Sequence, residues 1–278
     1  MAWLRDRSIL HTAEALEIAL PAAGEPVSSS VLSQARQRLG HEPLRRLFAH
    51  TAARWAHAEA GRHRWRGLAL YALDGVVWCT PDTPDTPENR ARFGGQRNHA
   101  HHQSPFPPVR MACLQEVRAR LLVDASLDAY DTSEYTLAAR LWPQLPADSL
   151  VIVDKGFYSA GLLYPLQQQG RHWLIPARAG LKGEVLRTHG PGDVELQMKV
   201  SPQARKKNPS LPPTWTVRAI TRAIDGRAKT VFTSLAEPKD WPADEVFDLY
   251  HERWEIDRPR RTQDRHAASG HDAAQSAP

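Results

Sequence analysis

Two aspartates stand where an ionised carboxylate needs a physical reason. Asp74 interrupts the apolar run ALYALDGVVWC, and Asp154 ends the run LVIV. Burying a charged carboxylate is unfavourable unless a cation or a set of hydrogen-bond donors compensates it. Two carboxylates on neighbouring strand ends, joined by a third from a helix, make an all-oxygen site suited to Mg²⁺ or Mn²⁺. Two such ions about 4 Å apart can activate a water or hydroxyl and stabilise the leaving oxygen of a phosphodiester. Taken singly, either aspartate could instead cap a turn.

Competing chemistries have weaker support. His99, His101 and His102 cluster in a polar stretch without zinc-ligand spacing, which fits a solvated loop better than a metal site. Gly94–Gly95 and Gly180-x-x-Gly183 lack the strand-turn-helix setting of a phosphate loop. Cys79 and Cys113 are the two cysteines of the chain, and they fit neither a disulfide framework nor a thiolate zinc site. No Ser-His-Asp or Cys-His arrangement follows from residue order.

The two aspartates require a sheet, and the surrounding pattern supplies one. Leu68–Trp78, Pro108–Val117 and Arg120–Leu127 read as three strands. Ser133–Leu145 reads as a helix, Leu150–Val153 as a strand buried in mid-sheet, Ala160–Gln169 as a helix and His172–Ile175 as a strand. That order is the order of a mixed α/β sheet. Prolines 81, 84 and 87 mark an irregular loop. Residues 176–213 carry scattered Gly and Pro and the basic run Arg205–Lys207, as expected of an inserted, partly irregular segment. Trp215–Ile224 and Thr230–Thr233 resume strand character, and Ala243–Ile256 reads as a helix with Val246, Leu249, Tyr250 and Trp254 on one face.

Residues 1–60 read as helical. Ile9–Leu20 forms one helix. Ser28–Ser30 offer N-caps for a second that stops at Gly40, and Pro43 opens a third that carries Leu47, Phe48, Ala52 and Trp55. Two short helices around a tight turn could form a helix-turn-helix with Gln34, Arg36, Gln37 and Arg38 facing DNA, or a small bundle with a solvated face.

The chain has 278 residues, 36 Lys and Arg against 31 Asp and Glu, and a formal charge of +5. Its pI is near 9.4. Such an excess fits a polyanionic partner without requiring one. No run approaches the roughly 20 apolar residues of a membrane span, and no basic-then-apolar leader opens the sequence, so a cytoplasmic protein is expected.

YALDGVVWCTPDTPDTPENRARFG and VIVDKGFYS resemble the first and second acidic motifs of DDE-type insertion-sequence transposases, in the group founded on insertion sequence four. The repeated PDTP at 81–87 looks like a small duplication that the group's pattern lacks. FPPVRMACLQE resembles the strand that follows, VSSSVLSQARQRLG the N-terminal helical domain, and LYHERWEI the start of the third motif, Y-x2-R-x3-E-x6-K. The resemblance spans residues 5–256. It implies a ribonuclease-H-like α/β catalytic domain over 63–256 with a β-rich insertion at about 176–229, and an N-terminal helical DNA-binding domain over 1–62. It further implies Asp74 and Asp154 as metal-holding catalytic residues, Asp257 at the third catalytic position, and Tyr250 and Arg253 on DNA backbone. It favours the DNA-facing reading of Arg36 and Arg38. Double-stranded DNA (transposon ends and target) is the implied partner, Mg²⁺ or Mn²⁺ the cofactor, and nucleoid-associated cytoplasm the location. A homodimer in a synaptic complex is compatible with it.

The third motif departs from the pattern. Asp257 stands where the group has Glu, and Asp264 where it has Lys. Pro259 would interrupt the helix at a cost of about 3 kcal/mol. Residues 257–278 have almost no large apolar side chain and are expected to be disordered. The sequence therefore reads as truncated or frameshifted near residue 257, and it opens abruptly, mid-pattern. A non-catalytic DNA-binding remnant is the alternative to an enzyme. Mg²⁺-dependent cleavage of an end-containing duplex should be weak in this chain. It should rise by orders of magnitude once residues 257–278 are replaced by a segment with Glu at 257 and Lys at 264. Robust cleavage by the unmodified chain, lost on Asp257→Ala, would reverse that expectation.

Overall fold

A computed structural model describes His11 and residues 28–80, 88–93, 107–178 and 180–257, without the side chains of Glu88 and of 251–257. The expected first helix, the prolines at 81–87, the histidine cluster, Pro259, Asp264 and the C-terminal tail lie outside the described residues. The chain divides into two compact units, residues 1–51 and residues 52–278.

In the first unit, α1 (Ser29–Leu39) begins at Ser28, whose hydroxyl accepts a hydrogen bond from the Val31 amide at 3.4 Å, and ends at Gly40. An oxygen-bearing side chain at that position satisfies one of the helix's orphan amides. Helix α2 (Glu42–Arg62) starts two residues later and continues into the second unit. Glu42 is held well below the usual carboxylate range, at about 2, by hydrogen bonds from Arg45 and then Arg46. Arg36 and Arg38 sit in the exposed last turn of α1.

The second unit is built on one nine-stranded sheet. Its strands in chain order are β1 (Ala69–Cys79), β2 (Pro108–Glu116), β3 (Leu122–Ala129), β4 (Ser149–Val153), β5 (His172–Pro176), β6 (Glu184–Gly190), β7 (Asp193–Lys199), β8 (Thr214–Ile224) and β9 (Arg227–Thr233). Across the sheet they run β3-β2-β1-β4-β5-β9-β8-β7-β6. Strands β1, β4 and β5 are parallel, and β2, β3 and β9 are antiparallel to their neighbours. The helices in sequence are α3 (Glu88–Phe93), α4 (Glu134–Leu141), α5 (Ala160–Gln168), α6 (Pro202–Lys207) and α7 (Ala243–Asp257).

Strand β4 lies between β1 and β5 in the parallel part of the sheet, and its sequence says why. Leu150, Val151, Ile152 and Val153 are all 0% exposed, so an unbroken apolar run is what both faces require. Burying each such side chain stabilises the fold by about 1.5–3 kcal/mol. One face of the sheet packs Ala69, Tyr71, Leu73, Val151 and Val153 under α4, α5 and the end of α2, which contributes Ala56 and Ala60. The other packs Leu70, Ala72, Leu150 and Ile152 against Val246, Phe247, Leu249 and Tyr250 of α7.

Two expectations are corrected. The residues at helical spacing on α2 are not its buried face: Leu47 and Trp55 are each 60% exposed, whereas Ala56 and Ala60 are buried. Small residues let that helix end approach the sheet closely, so size rather than hydrophobicity selects the contact. The segment after β5 is β-rich, as the resemblance implied, and so more regular than its Gly and Pro content alone suggested. Strands β6 and β7 form an antiparallel pair that joins β8 by continuous pairing from Asp193↔Ile220 to Lys199↔Thr214. The β8–β9 hairpin turns through Asp225 (φ 51°) and Gly226 (φ 71°), and two consecutive positive φ values favour an Asp-Gly pair.

Burial lowers the pKa of two histidines. His57 on α2 has its Nδ1 2.7 Å from the Tyr71 hydroxyl, and burial depresses its pKa. His172 is depressed by burial, opposed in part by Asp148. The unfolded chain, with histidines near 6.5, then takes up protons before the folded one does. Stability should therefore fall as pH drops below 6.5 toward the depressed folded values. Urea unfolding at pH 7.5 and 5.5 should show a lower midpoint at the acid end, and His57→Asn should shrink that difference. An unchanged difference would mean that His57 is not a contributor.

Candidate active site

Asp74 and Asp154 reach adjacent positions because of one register. Strands β1 and β4 run parallel, with Leu73 paired to Val153, so the next residue of each is an aspartate. Neighbouring strands lie about 4.8 Å apart. Both aspartates are half-buried. Asp74 remains in β1, opposite Cys113 of β2, and its Oδ1 accepts the Gly75 amide at 2.8 Å. Asp154 follows β4 in an extended conformation and leads into a 3-10 turn at Lys155–Phe157.

Strand alternation gives their direction. Residues 70 and 72, and 150 and 152, face α7, so 74 and 154 continue that side. Gly75 supplies an independent check, because a Cβ built there would come 3.1 Å from the Glu134 carboxyl group of α4, on the opposite face. A cavity of about 1200 Å³ begins at Asp154 and is walled by Phe247 and Tyr250 of α7 and by Val194, Leu196, Thr221, Thr230 and Val231 of the inserted strands. Lys155, Arg178 and Lys229 also line it. All three are exposed. Residue-by-residue reading missed them because they belong to three separate segments; the only local signal was Lys155 directly after Asp154. The basic run Arg205–Lys207 lies on α6 and does not line this cavity.

Tyr250 is 8% exposed, so most of its ring packs between α7 and the sheet while part of it lines the cavity. The backbone of α7 continues through Arg253 to Asp257, and the side chains of those two residues lie outside the described ones. Among the described residues no group of three or more His, Cys, Asp or Glu side chains is assembled for a metal. The pair offers hard oxygen donors, Asp154 at the cavity and Asp74 on the adjacent strand, which fits a divalent cation better than a soft metal.

Cys113 lies beside this pair. Burial, with the Asp74 charge second, pushes its thiol up to about 11, so it stays protonated near neutral pH and is a poor nucleophile. Iodoacetamide at pH 8 should therefore label exposed Cys79 well before Cys113, as read by peptide mass spectrometry. Equal rates at the two positions would contradict the burial of Cys113.

Residues 65–259 match the family described as transposase DDE domain, and residues 1–49 match the insertion element 4 transposase N-terminal family. The transposase InsG for insertion sequence element IS4 of Escherichia coli (strain K12) is 41% identical over 259 residues, which are 92% of this chain and 58% of that protein. The putative transposase InsZ of the same strain is 33% identical over 178 residues, 62% of this chain and 58% of that protein. This chain thus spans less than two thirds of the length of the curated relatives it matches. The crystal structure of a Bacillus subtilis endonuclease V covers 71% of this chain and 79% of its own at 9% identity and a TM-score of 0.26, a likeness too slight to carry an argument.

Proposed function

We infer what this chain does from what it is: it belongs to the DDE transposase family, in the group of insertion element 4. That family has a ribonuclease-H-like catalytic fold and depends on a divalent metal. We propose that this chain binds the ends of an insertion sequence and carries the machinery for phosphodiester cleavage and strand transfer, with double-stranded DNA as substrate. The observation that carries the reading is the β1–β4 register, which puts Asp74 and Asp154 next to each other facing the helix of the third motif.

In this proposal Asp74 and Asp154 hold Mg²⁺ or Mn²⁺, and Asp257, near the end of α7, occupies the third catalytic position. A bound divalent cation would supply Lewis-acid stabilisation of charge on the phosphodiester oxygens and a more acidic nucleophilic water. The chain's own groups do the positioning. Lys155, Arg178 and Lys229 line the cavity beside Asp154, where cations neutralise DNA phosphates and so fix the strand without reading its sequence. Tyr250 closes the cavity on the α7 side, and Arg253 follows it by three residues. Arg36 and Arg38, exposed at the end of α1, are in this proposal the first unit's contacts with duplex DNA. A homodimer bridging two ends, acting on nucleoid DNA, completes the proposal. None of the described helices is long and apolar enough to cross a membrane.

A second reading, binding without cutting, is favoured by the departures in the third motif, Asp257 where the group has Glu and Asp264 where it has Lys. One experiment addresses both. Duplex affinity should fall steeply with salt, and each of Lys155→Ala, Arg178→Ala and Lys229→Ala should reduce the slope of log affinity against log salt by about 0.9. Whatever Mg²⁺-dependent nicking is measured should vanish in Asp74→Asn and Asp154→Asn with affinity retained. Nicking that persists in either variant would overturn the site, and affinity without any nicking would support the binding-only reading.

A further inference from the structure

Arg218 of β8 is a buried guanidinium whose contacts reach well beyond its own strand. Its side chain is 0% exposed. Its Nε and Nη2 donate to the two carboxylate oxygens of Asp193 on β7, at 2.8 Å and 2.6 Å. Its Nη1 donates to the carbonyls of Leu235, at 3.2 Å, and Trp241, at 2.7 Å. Those two carbonyls bracket the connection from β9 into α7. One residue therefore ties the inserted strands to the base of the helix that carries Tyr250.

The surrounding contacts converge on the same connection. Trp241 stacks on Trp65 with ring centroids 5.4 Å apart. In the first turn of α7, Asp244 pairs with Arg222 and Glu245 with Arg66, each at 2.6 Å. Exposed pairs such as these contribute little. The desolvated fork of Arg218 is the directional contact, because its planar donors tolerate one orientation of their acceptors.

We propose that Asp193 and Arg218 are positioning residues that set the angle of α7 and thereby hold Tyr250 at the wall of the cavity beside Asp154. Tyr250 lies seven residues into α7, roughly 10.5 Å along its axis. A tilt of about 5° at the base therefore displaces it by roughly 1 Å, a misplacement that can reduce a catalytic rate on the order of 100-fold. The pair would also make the insertion and α7 respond together to a strand lodged between them. That last consequence rests on the transposase reading; the positioning of α7 does not.

The test uses the full chain with Asp193→Leu and Arg218→Met together, because replacing a buried ion pair by apolar residues of similar size commonly preserves stability, whereas Arg218→Met alone strands a buried carboxylate. The double variant should unfold at nearly the original temperature, while its α7 amides exchange with deuterium about 10-fold faster and those of β1 and β4 are unchanged. Tyr250→Phe should weaken duplex binding in the unaltered chain and lose that effect in the double variant. A folded double variant with α7 exchange unchanged would overturn the proposal. Faster α7 exchange with no effect of Tyr250→Phe in either background would uphold the positioning and remove Tyr250 from the DNA contact. Arg218→Lys, which keeps the charge without the fork, should restore the helix only in part; full restoration would show that charge alone suffices.

Discussion

The pairing of β1 with β4 is the constraint on which the site depends. Parallel strands have evenly spaced ladders, so one matched pair, Leu73 with Val153, determines every other pair along the two strands. A slip by one residue would turn Leu70 and Ala72 toward the wrong layer and send Asp74 to the α4 side, where Glu134 already stands over Gly75. The apolar burial that stabilises the two layers therefore also pins the two carboxylates. The charges need no attraction of their own to come together, because the register is secured elsewhere.

The insertion extends this sheet instead of forming a separate lobe. Strand β9 pairs with β5 at Leu174↔Thr233 through Pro176↔Val231, and β8, β7 and β6 follow in order. The cavity wall contributed by Val194, Leu196, Thr221 and Thr230 is thus hydrogen-bonded, strand by strand, to the parallel core that carries Asp154. Thr221 and Thr230 even share a side-chain hydrogen bond of 2.8 Å across β8 and β9. A wall attached in this way holds its distance from the carboxylates better than a loop would.

Much of this was legible residue by residue. The all-apolar β4 run, the serine cap at Ser28, and the aspartates within β1 and after β4 each follow from a local rule that tertiary structure did not override. Three features were not legible, for different reasons. The exposure of Leu47 and Trp55 reverses what helical spacing predicts, because Ala56 and Ala60 make the close approach. The regular β6–β7 pair is encoded weakly, since exposed Val185 and Leu186 give little alternation and the pairing is imposed by β8. The Asp193–Arg218 fork joins residues 25 apart, and nothing in either local sequence distinguishes them from surface charges.

The sheet and the helix contribute differently to the site. Asp74 and Asp154 are carried by strands whose backbone is locked by neighbours on both sides, so their separation is a property of the core. The third element, α7, touches the sheet through one face, and its orientation depends on how its base is held. A site divided this way has a rigid half and an adjustable half. Tyr250 marks the boundary, since it is packed in the layer beneath α7 and also lines the cavity. The contacts at residues 218, 222 and 66 are accordingly concentrated at the start of α7, where a small angular error would grow along the helix. Apolar packing of Val246, Phe247 and Leu249 resists lifting of the helix but is non-directional, so rotation within its layer must be resisted by hydrogen bonds. The buried fork of Arg218 is the contact with the geometry to do that.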